Sequence, residues 1–175
     1  MLKMFSTQLS GLFSKVNNQE GLSIEEGARL LAQAVIGEGY IYIHGTEEMI
    51  AVCAEATKGE EPLKNSKPLS FRETGKLSKA DRVLLISRFS TDSKTIQVAK
   101  QLQKEQIPFV AISGALNAVD DLASIADVHI NTNVIKGLLP SDEGKRICFP
   151  SSIAALFIYH ALKFTIDEIL AEYNM

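Results

Sequence analysis

The sequence predicts an α/β fold: an open, doubly wound, five-stranded parallel sheet of the flavodoxin-like kind, with strand order 2-1-3-4-5 and helices on both faces. Three observations predict it. Short runs of β-branched and aromatic residues alternate with helical segments, the pattern of βαβ units with right-handed crossovers. Arg82-Val83-Leu84-Leu85-Ile86-Ser87 is a near-continuous apolar run, as in a strand buried on both faces. About five such strands are too few for an α/β barrel, which needs eight.

Leu2, Phe5, Leu9, Leu12, Phe13 and Val16 recur at three- and four-residue steps and predict a first helix, stopped by Asn17-Asn18-Gln19-Glu20-Gly21. Ser23 and Glu26 then form a capping box for a second helix, with Ala28, Leu31 and Val35 as its stripe and Gly37 and Gly39 as its end. Residues 40–44 read as a strand, Gly45-Thr46 as a turn, and 47–57 as a helix. The polar stretch 58–79 carries Pro62 and Pro68, with one short edge strand expected at Leu69-Ser70-Phe71. The strand at 82–87 is followed by a turn at 88–92 and a helix over 93–105. A strand at 108–112 ends in Ser113-Gly114, and a helix over 118–126 leads to a last strand, Val128-His129-Ile130. Residues 136–146 read as a polar loop. Pro150, Ser151 and Ser152 open a long final helix that runs to about Tyr173. No repeat and no boundary interrupts this order, so residues 1–175 are read as one domain.

Composition narrows the function. Of 175 residues, 46% are hydrophobic and 22% charged, which is enough apolar material for a core without staples. The formal net charge of -3 argues against a nucleic-acid partner, since phosphate neutralisation needs a surplus of cations. Cys53 and Cys148 alone make neither a disulfide scaffold nor a Cys-rich zinc site and fit a reducing, cytoplasmic setting. The opening residues are too polar for a signal peptide, and the longest apolar run, 153–162, is interrupted by His160. That run falls short of the ~20 residues a spanning helix needs, so no membrane partner is expected. The three histidines are widely separated, which speaks against a metal site. No cofactor is expected either: the phosphate-binding glycine motifs are missing, and Gly37-Glu38-Gly39 precedes its strand.

In an open α/β sheet, ligands bind beyond the carboxyl ends of the strands, where the strand order reverses. That rule selects two loops, His44-Gly45-Thr46 and the segment from Ser87 to Ser93. The second places Ser87, Ser90, Thr91 and Ser93 between a buried strand and the start of a helix. Backbone N–H groups joined by short hydroxyls make an anion site, and Arg88 adds a charge-assisted contact suited to phosphate. The competing reading is that the hydroxyls cap the helix, and the residues alone leave both open.

These segments resemble the SIS domain, the sugar isomerase fold that binds phosphosugars. That family has a glycine-rich first loop with a serine, and a second loop of the form S-x-S-G-x-S/T after a buried strand. Ala80 to Ser87, Ala99-Lys100, Val110 to Gly114 and Leu122 to Val128 fall in the family's order, and the resemblance covers nearly the whole chain. The single-domain arrangement is most similar to phosphoheptose isomerase and to small bacterial SIS-like proteins. The resemblance implies a protein that binds a sugar phosphate through Gly45 and Thr46 of the first loop and Ser87, Arg88, Ser90, Thr91 and Ser93 of the second. The alternatives are an aldose–ketose sugar-phosphate isomerase of the phosphoheptose type, or a non-catalytic interaction module with a degenerate pocket. For the isomerase, the resemblance puts Glu55 in the place of the base. The family's histidine acid has no counterpart in Ile153-Ala154-Ala155-Leu156, and His160 lies a turn later. Two further departures matter. Phe89-Ser90-Thr91 stands where the second loop has its glycine, and Glu47 and Glu48 follow the first loop, where carboxylates repel a phosphate. The second loop is therefore expected to hold the anion.

The final helix is apolar almost all round. If Leu156, Phe157 and Phe164 cover the sheet, Ile158, Tyr159 and Leu162 need another partner. A two-fold homodimer through this helix and the first one is expected, with Pro150-Ser151-Ser152 near the partner's pocket. SIS domains generally dimerise, so the resemblance implies the same.

Overall fold

A computed structural model of the chain describes residues 1–174. Its central sheet joins β1 (Ile41–Gly45), β2 (Ser66–Pro68), β3 (Arg82–Phe89), β4 (Phe109–Gly114) and β5 (Val128–Asn131). Every neighbouring pair is parallel and the order is β2-β1-β3-β4-β5, as the strand–helix alternation predicts. Side chains alternate across the strands and sort the core into two layers. Ile41, Ile43, Leu84, Ile86, Val110, Ile112 and Ile130 pack with α1 (Leu2–Ile36), α2 (Ile50–Lys58) and α5 (Ser151–Glu172). Val83, Leu85, Phe109 and Ala111 pack with α3 (Ser93–Lys104) and the short α4 (Leu122–Ile125). Gly27 lets α1 lie close on the sheet: a Cβ there would meet Val110 at 3.3 Å and Ile130 and Leu162 at 3.4 Å.

The structure corrects several sequence expectations. The two N-terminal helices are one helix, α1, unbroken through Asn17–Gly21, and Ser23 lies inside it. Asn17, Asn18, Gln19 and Gly21 all face solvent, where an interior glycine costs a helix only ~1 kcal/mol. Leu12 and Val16 before this stretch, and Ile24 and Ala28 after it, stay buried in the same core, and the Glu20 carboxylate accepts the backbone N–H of Asn131 at 3.1 Å. Packing on both sides carries the helix across the weak stretch. The edge strand is Ser66–Pro68, three residues earlier than expected; Pro68 is tolerated on an edge. Leu69 continues the pairing, its N–H donating to the Ile43 carbonyl at 2.8 Å, and Phe71 opens a 3-10 turn, Phe71–Lys76, with a Ser70–Glu73 capping box. The helix expected over 118–126 shrinks to α4, capped by Asp121. The loop at 136–146 contains an antiparallel pair, β6 (Leu139–Pro140) with β7 (Arg146–Ile147).

The faces of α5 are the reverse of those expected. Ala155, Ile158, Tyr159, Leu162 and Ile166 are buried within the chain, because α1 and α2 flank α5 while it lies on the sheet. Phe164 is 59% exposed and Ile153 39%, with Leu156 and Phe157 half-buried at the edge. Among the described residues, no helix is long and apolar enough to cross a membrane.

Candidate functional site

The chain leaves β1 toward β2 and leaves β3 toward β4, on opposite sides, so the order reverses between β1 and β3. The first loop follows β1. Gly45 is required there by close approach, since a Cβ would fall 2.5 Å from the Met49 carbonyl oxygen and 3.2 Å from Cys53 Sγ. The next residues form a tight 3-10 turn, Glu47–Met49, entered through a left-handed Glu47 (φ 51°). Burial pushes the Cys53 thiol behind this turn up from its ordinary pKa.

The second loop begins later than the sequence suggests. β3 runs through Arg88 to Phe89, with a register shift between Ile86 and Phe89 against β4. Such a bulge re-aims side chains, and Arg88 is exposed there. Its guanidinium grips Glu48 with two donors, Nε to Oε1 at 2.7 Å and Nη2 to Oε2 at 2.6 Å. Ser151, at the start of α5 and nearly fully buried, donates its hydroxyl to the same Oε1 at 2.6 Å. The Arg88 fork and Ser151 together overcome partial burial and hold the Glu48 carboxyl at a pKa of about 2. The carboxylate in turn raises the Arg88 pKa. A cavity of about 530 Å³ opens on this cluster, lined by Glu48, Arg88, Phe89, Phe149, Ser151 and Ser152. Phe89 and Phe149 meet edge to face at 5.7 Å in its wall. A smaller cavity of about 250 Å³ shares Arg88 and Phe89 with it and is lined also by Thr46, Glu47, Thr91 and Asp92.

The remaining hydroxyls of the second loop are divided between interior and surface. Ser87 is buried and donates to the Phe89 carbonyl at 2.8 Å. Ser90 is also buried; it donates to Asp121 Oδ2 at 2.7 Å and accepts the Leu116 N–H at 3.0 Å. Thr91 and Ser93 are exposed. The cap of α3 is none of the four: Asp92 accepts from the Thr95 N–H at 2.8 Å and from the Thr95 hydroxyl at 2.6 Å. Thr46, in the first loop, is buried, 3.3 Å from the Thr95 hydroxyl. Arg88 and Thr91 thus line the cavities, while Ser87 and Ser90 tie the loop to its neighbours. Glu55 sits further along α2 and lines neither cavity.

The histidines divide in the same way. His44 Nδ1 lies 3.0 Å from the Leu69 carbonyl. His129 Nε2 lies 2.8 Å from the Ser113 hydroxyl, and burial depresses its pKa to about 4 despite the opposing charge of Asp121. His160 lies on the outer side of α5 beside Phe164. Sequence reasoning missed Glu48, Ser151 and Phe149 as members of one site with Arg88. Glu48 and Arg88 are 40 residues apart and Ser151 and Glu48 are 103 apart, so only the parallel pairing of β1 with β3 and the docking of α5 bring them together.

This architecture is the SIS-type α/β fold, which comparison with solved structures bears out. Vibrio vulnificus NanR complexed with ManNAc-6P matches with a TM-score of 0.73 at 16% identity, over 97% of this chain and 62% of that one. Phosphoheptose isomerase GmhA from Neisseria gonorrhoeae matches at 0.69 and 15% identity, over 94% and 95% of the two chains. A phosphoheptose isomerase from Francisella tularensis matches at 0.68 and 12% identity, over 94% of each chain. The chain itself belongs to the family described as a domain of unknown function, DUF2529, whose model matches residues 1–170. Its relative in Bacillus subtilis (strain 168), the uncharacterized protein YwjG, is 40% identical over 174 residues, which is 99% of both chains.

Proposed function

We propose that this chain binds a sugar phosphate in the crevice between the first and second loops, as a homodimer, and does not isomerise it. The observation that carries the binding reading is Arg88. It stands at the reversal of strand order, at the mouth of a cavity of about 530 Å³ with Ser151 and Ser152 beside it. A guanidinium fork with adjoining hydroxyls suits phosphate oxygens, and Phe89 and Phe149 offer an apolar wall for a sugar ring. The structural neighbour complexed with ManNAc-6P adds weight to that ligand class.

Two observations speak for binding over isomerisation. An aldose–ketose isomerase needs a base matched to near-neutral working pH. It also needs an acid, and among the described residues no histidine lines either cavity. Glu55, the base that the family resemblance implies, lies outside both cavities.

A thermal-shift screen with sugar phosphates, followed by an NMR assay for turnover, tests the proposal. Stabilisation without conversion is the expected result. Conversion of aldose to ketose phosphate would instead make the chain an isomerase, and no stabilisation by any sugar phosphate would favour an interaction module.

A further inference from the structure

The donors that should receive a ligand's anion are already in use. Glu48 accepts three hydrogen bonds, two from the Arg88 fork and one from Ser151. A carboxylate and a phosphate present similar oxygen acceptors to such donors. They cannot share one fork and one hydroxyl, and two anions held there would repel each other.

We infer that Glu48 is an internal stand-in for the ligand's anionic group: a sugar phosphate binds by taking the place of the Glu48 carboxylate on Arg88 and Ser151, and the first loop moves when it does. This rests on the phosphosugar reading above. The pair is built for exchange. Its side chains are 48% and 30% exposed, so water can solvate both groups as they part. A fully buried pair would leave each charge stranded on separation. Glu48 rides on a three-residue 3-10 turn that is entered through a left-handed non-glycine residue and runs directly into α2. The other charged groups around the fork are Glu47, Asp92 and Lys94. Lys94 is held by Glu47 at 3.1 Å, and Asp92 is committed to capping α3, which leaves Glu48 as the carboxylate gripped by Arg88.

The consequence is a lowered apparent affinity. The wild-type site binds only in the fraction of molecules whose Arg88 is free, and removing the internal carboxylate lifts that penalty. Calorimetric titration with glucose 6-phosphate, sedoheptulose 7-phosphate and inorganic phosphate reads it directly. Glu48→Gln should bind the same sugar phosphate about tenfold more tightly than wild type, and Arg88→Ala should lose binding. Hydrogen exchange on the wild-type chain is the second measurement, and it holds even if Glu48→Gln folds poorly. The amides of residues 47–50 should exchange faster with ligand bound. Wild-type binding with no gain in Glu48→Gln and no change in exchange would make Glu48 a fixed scaffold, overturning the stand-in while the phosphosugar reading stands. Binding that survives Arg88→Ala places the ligand elsewhere and overturns it too. No binding to wild type or Glu48→Gln overturns both readings together.

Discussion

The Ser90 hydroxyl donates to the Asp121 carboxylate at 2.7 Å, joining the second loop to the cap of α4 across 31 residues of chain. Both residues are buried, and the Ser90 carbonyl accepts the Leu122 N–H at 2.9 Å in the same contact. Burial opposes the charge on Asp121, but hydrogen bonds from Ser90 and from backbone N–H groups outweigh it and lower the pKa. A hydrogen bond to a charged group is worth ~1.5–3 kcal/mol, so Ser90→Ala should destabilise the fold by about 2 kcal/mol. In a domain of this size that is a fall of ~6 °C in Tm, which thermal denaturation checks. An unchanged Tm would mean that the bond contributes nothing net.

Acid should loosen the loop cluster. Glu48 titrates at about 2 in the folded chain, against an ordinary carboxyl value near ~4.3 in the unfolded one. The unfolded state binds protons first as the pH falls, so the stability from this group is complete above the unfolded value and drains between ~4.3 and about 2. Urea denaturation of wild type and Arg88→Ala should therefore give curves that differ at neutral pH and converge toward pH ~2. A constant gap across that range would assign the difference to lost packing of the arginine stem.

Much of this frame was legible in the residues. The apolar run from Val83 to Ile86 reads as a two-sided strand because β3 is covered on both faces. The sheet order and the two loops at its carboxyl end follow from it. What the residues hid is tertiary. Asn17–Gly21 reads as a stop, yet packing on either side carries α1 through it. Four hydroxyls in one loop read alike in sequence, but the bulge after Ile86 and the approach of Asp121 turn Ser90 inward and leave Thr91 outside. The side chain that fills the Arg88 fork comes from a different loop, and local spacing cannot signal a partner 40 residues away.

Tyr159 should be better as phenylalanine. Its hydroxyl is buried and has no hydrogen-bond partner among the described residues, and burial pushes its pKa well above the ordinary tyrosine value. Leaving a buried polar group unpaired costs ~1–3 kcal/mol. Tyr159→Phe keeps the ring that fills the core and removes the orphan, so Tm should rise by about 3 °C for each kcal/mol regained. A fall in Tm would show that the hydroxyl is satisfied, for instance by an ordered water.

The reversed faces of α5 change the basis for dimerisation. The residues first expected to seek a partner, Ile158, Tyr159 and Leu162, are buried inside the chain. In their place Ile153, Phe157 and Phe164 form an outward strip, interrupted by His160. Phe157 stacks on Phe13 of α1 at 4.4 Å, so the strip continues onto a second helix. There Leu2 and Met4 are exposed, and Phe5 and Leu9 are only half-buried. An apolar surface shared by two helices is uncommon on a monomer, and a second copy presenting the same surface about a two-fold axis would cover both. Sedimentation at micromolar concentration should therefore give twice the mass of one chain. Phe164→Glu should shift it to a single-chain species, because an isologous interface receives the buried charge twice. The fold itself should tolerate the change, since Phe164 is 59% exposed within one chain. A wild-type protein that sediments as one chain would mean that α1 and α5 leave this strip open to water.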